Sequence, residues 1–394
     1  MMAIPIVYNL RNLWARKMST LLTVGGVGLA VGVFVIVLML VHGLKYALVE
    51  SGSPQNVIVL RKGSPSETMS GVARDSANVI LTSPEIALAP DGKRRAVAEA
   101  VMGVNLLRRG QKNARSGSNV TVRGIGPDSI ALRPQVRIVE GRAPTPGTPE
   151  ILSGKSAARG FEGCEVGGTI RMGGLDWKVV GVFEASGSAI ESEIWGDADL
   201  LMRAFGREGG FSSVTFALND PQGQFDAMKA RLETDPRLNV DVKHERDYYA
   251  DNSIALTALI SILGGVLVVL FSLGAVMGAM VTMFAFVGAR TKEIGTLRAL
   301  GFPRRSILVS FLLESILLSL AGGVLACIPA LFVQSMTFST TNFTTFTDVT
   351  WNFRASPVIL VAGLIFAVVM GVTGGLIPAI RAARMPIITA LREA

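Results

Sequence analysis

RTKEIGTLRALGFPRR, residues 290–305, lies between two long apolar runs at residues 254–288 and 307–333. Roughly 20 apolar residues already cross a bilayer, and both runs are longer. The linker is therefore forced to a membrane face, and its five Arg and Lys against one Glu place that face in the cytosol. Ile294, Leu297 and Leu300 fall at i, i+3 and i+6, which draws a narrow apolar stripe along a short helix. Gly301 suits a left-handed helix end, and Pro303 suits the start of the next helix. Two uses of such a basic, amphipathic segment stay open: a handle gripped by another protein, or a helix lying on lipid.

The rest of the chain supports a membrane setting. Of 394 residues 49% are hydrophobic and 17% charged, whereas a soluble domain carries about 25% charged residues. The net charge of +8 is concentrated beside apolar runs: +3 in residues 1–19 (Arg11, Arg16, Lys17), +4 in residues 290–305, and +2 after residue 380. Residues 45–252 hold 26 basic and 26 acidic side chains and are neutral. Such an excess is a topology signal and not a groove for phosphates, so nucleic acid is not an expected partner. Cys164 and Cys327 sit in a polar and an apolar segment, so no disulfide or metal framework is expected and each reads as a small buried residue.

Outward from the linker, the chain reads as an α-helical membrane protein with four transmembrane helices and a large mixed α/β extracytoplasmic domain inserted between the first two. A cytosolic arm (1–19) precedes the first span (20–42), whose apolar length exceeds a signal peptide's core and lacks a cleavage site. The domain takes residues 45–247, with a middle lobe at about 100–200 and a second lobe built from both ends. Its expected strands are 57–61, 101–108, 120–125, 169–172, 178–183, 214–218 and 240–243. Expected helices are 197–205, with the acidic Asp197 as cap, and 221–233 with Asp220 as cap and Pro221 as first residue. Residues 248–289 form a stalk plus the second span; 35 apolar residues give roughly 52 Å of helix against about 30 Å of hydrocarbon. The third span (306–334), a short outer loop (335–356), the fourth span (357–380) and a cytosolic tail (381–394) complete the chain. Glu314 lies inside the third span, where an ionisable group needs a partner or water; function, a nearby Arg and snorkelling are all open. Gly28/Gly32, Gly274/Gly278 and Gly371/Gly375 are spaced for close helix packing, within the chain or across a dimer seam.

Catalytic chemistry is not expected. Ser153-Gly154-Lys155-Ser156 echoes a phosphate loop, but Pro149 stands where the first glycine is needed. His42 and His244 have no metal-ligand spacing around them, and GxSxG does not occur.

The residues together resemble the MacB/FtsX-type (type VII) permease superfamily of ABC transporters. Lys292-Glu293-Ile294-Gly295-Thr296-Leu297-Arg298-Ala299-Leu300-Gly301 is similar to its cytosolic coupling segment. Pro378-Ala379-Ile380-Arg381-Ala382-Ala383-Arg384, with Pro386 and Ala390-Leu391, is similar to its C-terminal signature. Val122-Arg123-Gly124-Ile125, Val139-Glu140-Gly141-Arg142 and Val179-Val180-Gly181-Val182 resemble the MacB-type periplasmic core. The resemblance implies an exporter permease working by mechanotransmission at the periplasmic side of the inner membrane. ATP and Mg would bind a separate ATPase subunit gripping Arg290, Lys292, Glu293, Ile294, Gly295, Leu297, Arg298, Leu300 and Gly301, leaving no cofactor on this chain. It further implies a second permease chain and, as additional partners, a periplasmic adaptor and an outer-membrane channel. Siblings with the same topology extract lipids or lipoproteins, and an FtsX-like relative regulates a cell-wall hydrolase without transport.

Overall fold

A computed structural model describes residues 17–110, 117–221, 223–334, 336–342, 345 and 347–386; the N-terminal bases Arg11 and Arg16 and the tail residues Ala390, Leu391 and Arg392 lie outside them. In chain order the elements are α1 (Lys17–Val49), β1 (Asn56–Arg61), β2 (Val72–Ala73), α2 (Arg74–Leu81), β3 (Ala96–Leu106), β4 (Ser118–Ile125), β5 (Arg137–Gly141), β6 (Glu150–Gly154), α3 (Lys155–Gly160), β7 (Thr169–Met172), β8 (Leu175–Glu184), β9 (Ile194–Asp197) and α4 (Ala198–Ala204). Then follow β10 (Gly210–Phe211), β11 (Ser213–Ala217), α5 (Phe225–Thr234), β12 (Val240–His244), α6 (Glu245–Ala289), α7 (Thr291–Ala299), α8 (Arg304–Val333), β13 (Thr337–Thr341), β14 (Asp348–Asn352) and α9 (Pro357–Arg384).

The chain divides into two compact units. The helical unit holds the described parts of Met1–His42, Ala258–Met336 and Phe353–Ala394. Among the described residues four helices, α1, α6, α8 and α9, are long and apolar enough to cross a membrane. Helices are the economical solution there, because every backbone N–H and C=O is satisfied within the segment. Glycines let them close up. A Cβ on Gly28 would stand 3.1 Å from the Gly322 carbonyl oxygen, and one on Gly375 2.5 Å from Ser315 Cβ. Ser315 Oγ donates to the Gly371 carbonyl at 2.7 Å, so α8 and α9 are also tied by a hydrogen bond.

The α/β unit holds Gly43–Thr257 and Thr337–Asn352. Among the described residues it contains a ten-stranded mixed sheet in the order β12-β1-β11-β3-β4-β9-β6-β8-β5, with β7 also on β8. β4–β9 and β6–β8 are parallel and the other pairs antiparallel. One apolar core gathers Val122, Ile151, Trp177 and Leu201, and another gathers Val57, Ile80, Phe216 and Leu232. These two cores lie on one sheet, continuous through the β11–β3–β4 path, because Ala96–Leu106 is long enough to pair at both of its ends.

Several boundaries differ from expectation. Helix α1 continues past residue 42 to Val49, since Leu44, Ala47 and Leu48 keep a buried face after apolarity drops. Helix α5 begins at Phe225 and not at Pro221: Asp220 Oδ1 accepts from Gly223 N at 3.0 Å, closing a turn that delays the helix. Asp197 does cap α4, accepting from Leu200 N at 2.9 Å. The short strands β5, β6 and β9 lack the alternation needed to find them. Within the expected outer loop, β13 and β14 pair as antiparallel strands, and Thr337–Asn352 belongs to the α/β unit. Arg108 Nη2 donates to Asp348 Oδ2, Thr350 N donates to Ser192 Oγ at 2.8 Å, and Thr121 Oγ1 donates to Thr347 Oγ1 at 2.9 Å. Cys164 is buried but Cys327 is half-exposed, against the expectation for the latter.

Candidate coupling site

The basic linker folds as two short pieces. Arg290 breaks the helix after Ala289 (φ −117°, ψ 18°), and α7 runs from Thr291 to Ala299. Gly301 adopts φ +89°, which a Cβ would oppose, and Phe302 N donates to Leu297 O at 3.1 Å to close the turn. Pro303 stands one place ahead of α8 with extended backbone, so the third helix starts at Arg304.

The apolar stripe is divided. Ile294 is 2% exposed and packs with Met283, Phe286, Ile307, Phe311 and Ala382. Gly295 is buried and Leu297 and Arg298 are half-buried, whereas Lys292 and Glu293 are exposed and Leu300 is 69% exposed. The inner half of α7 is therefore part of this chain's own core, and the outer half is left exposed. The reason is the turn of helix: Ile294 faces the ends of three long helices that supply enough apolar surface to cover it.

Arg290 and Glu314, 24 residues apart, meet: Nη1 donates to Oε2 at 2.9 Å, with both side chains buried. The Phe311 ring lies 6.0 Å from the Arg290 guanidinium carbon. Of the glycine pairs, Gly28 and Gly32 face Gly322 and Ala326, and Gly371 and Gly375 face Ile316, Ser319 and Ser315. Gly274 and Gly278 have no neighbour within 4 Å of a built Cβ. They line an open apolar groove of about 900 Å³ between α1 and α6, with Thr23, Gly26, Leu29 and Leu270 on its walls. The Thr23 and Thr282 hydroxyls meet at 2.8 Å within it.

The α/β unit holds a charge cluster that sequence reading missed. The five N–H groups of Arg123 reach three carboxylates: Nε and Nη2 to Glu193 at 2.8 Å each, Nη1 and Nη2 to Glu67 at 2.9 and 3.1 Å, and Nη1 to Glu99 at 3.0 Å. Arg133 donates to both Glu99 oxygens at 2.7 and 2.6 Å. Burial pushes the Glu99 carboxyl up, but Arg133 and then Arg123 outweigh it and hold it at about 2. Burial likewise opposes the Arg123 charge, yet Glu193 and Glu67 raise its pKa further. All five Arg123 donors are engaged, and both Arg133 Nη groups donate to Glu99 while its buried Nε has no partner; the cluster is a brace across β3, β4 and the segment before β9. The rejected phosphate motif has a structural use: a Cβ on Gly154 would meet the Glu191 carbonyl at 2.2 Å, and Lys155 Nζ donates to Glu184 at 3.0 Å.

Residues 20–234 match the MacB-like periplasmic core domain, and residues 265–387 match the FtsX-like permease C-terminal domain. The ABC transporter permease YknZ of Bacillus subtilis, itself uncharacterized, is 24% identical over 97% of both chains. The macrolide export ATP-binding/permease protein MacB of Chlorobium luteolum is 24% identical over 97% of this chain, which spans 59% of that protein's length. Among solved structures, the extracellular domain of YknZ aligns with 48% of this chain and 99% of its own at 17% identity and TM-score 0.36. The periplasmic region of MacB from Actinobacillus actinomycetemcomitans aligns with 49% of this chain and 90% of its own at 12% identity and TM-score 0.38. With the first domain match alone covering more than half of the residues, the chain belongs to the MacB/FtsX-type family of ABC transporter permeases, multi-pass membrane proteins with a periplasmic core domain.

Proposed function

We propose that this chain is the permease subunit of an ATP-driven exporter in a bacterial cytoplasmic membrane, with both termini and α7 in the cytosol and the α/β unit outside. The observation that carries the reading is the divided face of α7: Ile294 is rooted in the bundle while Lys292, Glu293 and Leu300 are presented outward. A rooted helix with an exposed basic and apolar tip is what a separate ATPase subunit can pull without tearing it from the membrane. ATP and Mg would bind that subunit. Helix α6 has 45 residues, about 67 Å, against about 30 Å of hydrocarbon. Its excess length supports mechanotransmission, motion at α7 being carried to substrates on the outer side. A periplasmic adaptor and an outer-membrane channel would complete an export path, and a second permease chain would meet the uncovered Gly274/Gly278 face.

The experiment is co-purification from the native membrane with a tagged chain. An ATPase subunit is expected with the wild type, and Leu300→Asp or Glu293→Lys is expected to lower its yield about tenfold at unchanged permease abundance. An undiminished ATPase yield with both variants would exclude docking on α7.

A second reading, extraction of lipids or lipoproteins, is favoured by the apolar groove between α1 and α6, which has the volume and lining for acyl chains. Lipid released from the purified chain by organic solvent, and lost on Gly278→Leu, would favour it over export of a polar substrate.

A further inference from the structure

A single residue, Arg290, separates the 45-residue helix α6 from α7. An arginine near the end of a membrane helix ordinarily extends its charge towards the interface. This one turns inward: it is 9% exposed, and its partner Glu314 is 2% exposed. Glu314 lies on α8, ten residues beyond Arg304. The other end of α7 reaches α8 through the tight turn of residues 300–303. Thus α7 is joined to the same helix at both ends, covalently at one and by a buried ion pair at the other. Ile294, one turn beyond Arg290, adds an apolar contact to Ile307 and Phe311 of α8. Removing one partner of a buried pair strands the other charge without water, so such a joint is stiff.

We propose that Arg290 and Glu314 form a latch that fixes the angle of α7 against α8, so that displacement of α7 enters the bundle through the third long helix as well as along α6. The two are positioning residues for the coupling movement, and this assignment rests on α7 being the element that a partner moves. It changes the expected path of force: a free hinge at Arg290 would drive α6 alone, whereas the latched joint moves α7 and the start of α8 as one body.

Hydrogen exchange of the full chain in lipid nanodiscs reads the latch without any partner. Glu314→Gln keeps the shape and removes the charge. It is expected to speed exchange of the Thr291–Ala299 amides about tenfold, while Pro357–Arg384 keeps wild-type rates. The swapped pair, Arg290→Glu with Glu314→Arg, is expected to return Thr291–Ala299 towards wild-type exchange. Unchanged exchange in Glu314→Gln would overturn the latch. So would an increase spread evenly over the four long helices, or a folded swap with no recovery. Docking of an ATPase is read separately by the Leu300→Asp co-purification, so either idea can fail alone.

Discussion

Ser53 N donates to the Glu245 carboxylate at 2.8 Å, joining the segment just after α1 to the first residue of α6. Asn56 Nδ2 donates to the same oxygen at 2.9 Å, and a Cβ on Gly52 would come within 2.8 Å of Arg246 N. The strands on either side of the joint are in register as well, with Val57 opposite His244. Chain that is 189 residues apart in sequence is thereby held as one corner of the α/β unit.

That corner is sensitive to two small changes. Glu245→Ala leaves the Ser53 N–H buried without an acceptor, at a cost of about 1–3 kcal/mol, and leaves the Asn56 amide with the Leu132 carbonyl alone. Gly52→Val forces side-chain atoms into the Glu245–Arg246 backbone and is expected to cost a similar amount. Thermal unfolding of the chain in nanodiscs checks both, and wild-type midpoints would show that the corner is dispensable.

Acid weakens the Arg123 cluster. The folded pKa of Glu99, about 2, lies below the unfolded value of 4.5. Its contribution is therefore present above pH 4.5 and is lost as pH falls towards 2, amounting to something on the order of 3 kcal/mol. Glu99→Gln is expected to flatten this acid limb. It would also lower stability at pH 7 by about 3–5 kcal/mol, because Arg133 is left with a weakened partner. A parallel acid profile for mutant and wild type would place the titration elsewhere.

Cys164 is expected to be inert. Burial, helped by the nearby Glu165 charge, pushes its thiol up to about 12, so at pH 8 almost no thiolate is available to attack an electrophile. In a Cys327→Ala background, iodoacetamide labelling measured by mass should remain near zero until denaturant is added. Rapid native labelling would mean that the core around Trp177 and Val179 opens.

Two glycine substitutions should separate packing within the chain from packing between chains. Gly375→Leu drives atoms into Ser315 and is expected to destabilise the α8–α9 pair by about 1–3 kcal/mol. A Cβ on Gly278 meets nothing within 4 Å, so Gly278→Leu is expected to leave the single chain's midpoint unchanged while the proposed two-chain species declines. Light scattering in detergent together with thermal unfolding checks both arms. A lower midpoint for Gly278→Leu would place that residue inside the subunit.

What the linear pattern determined was what depends on short-range physics. Four apolar runs read as long helices because lipid forbids an unsatisfied backbone, a requirement met within each segment by itself. Gly301 could be read as a helix end for the same reason, its φ of +89° being a property of one residue. Asp197 was legible as a cap because its acceptor reaches only three residues ahead. Tertiary structure alone decided which charges are neighbours. Nothing local marks Arg123 as buried among Glu67, Glu99 and Glu193, or Ile294 as core while Leu300 is left open. The strand pair within Thr337–Asn352 was likewise hidden, since its place in the α/β unit depends on Arg108 and Ser192 far upstream. Ion pairs and close-packed glycines are properties of two positions at once, and their partners are chosen by the path of the whole chain.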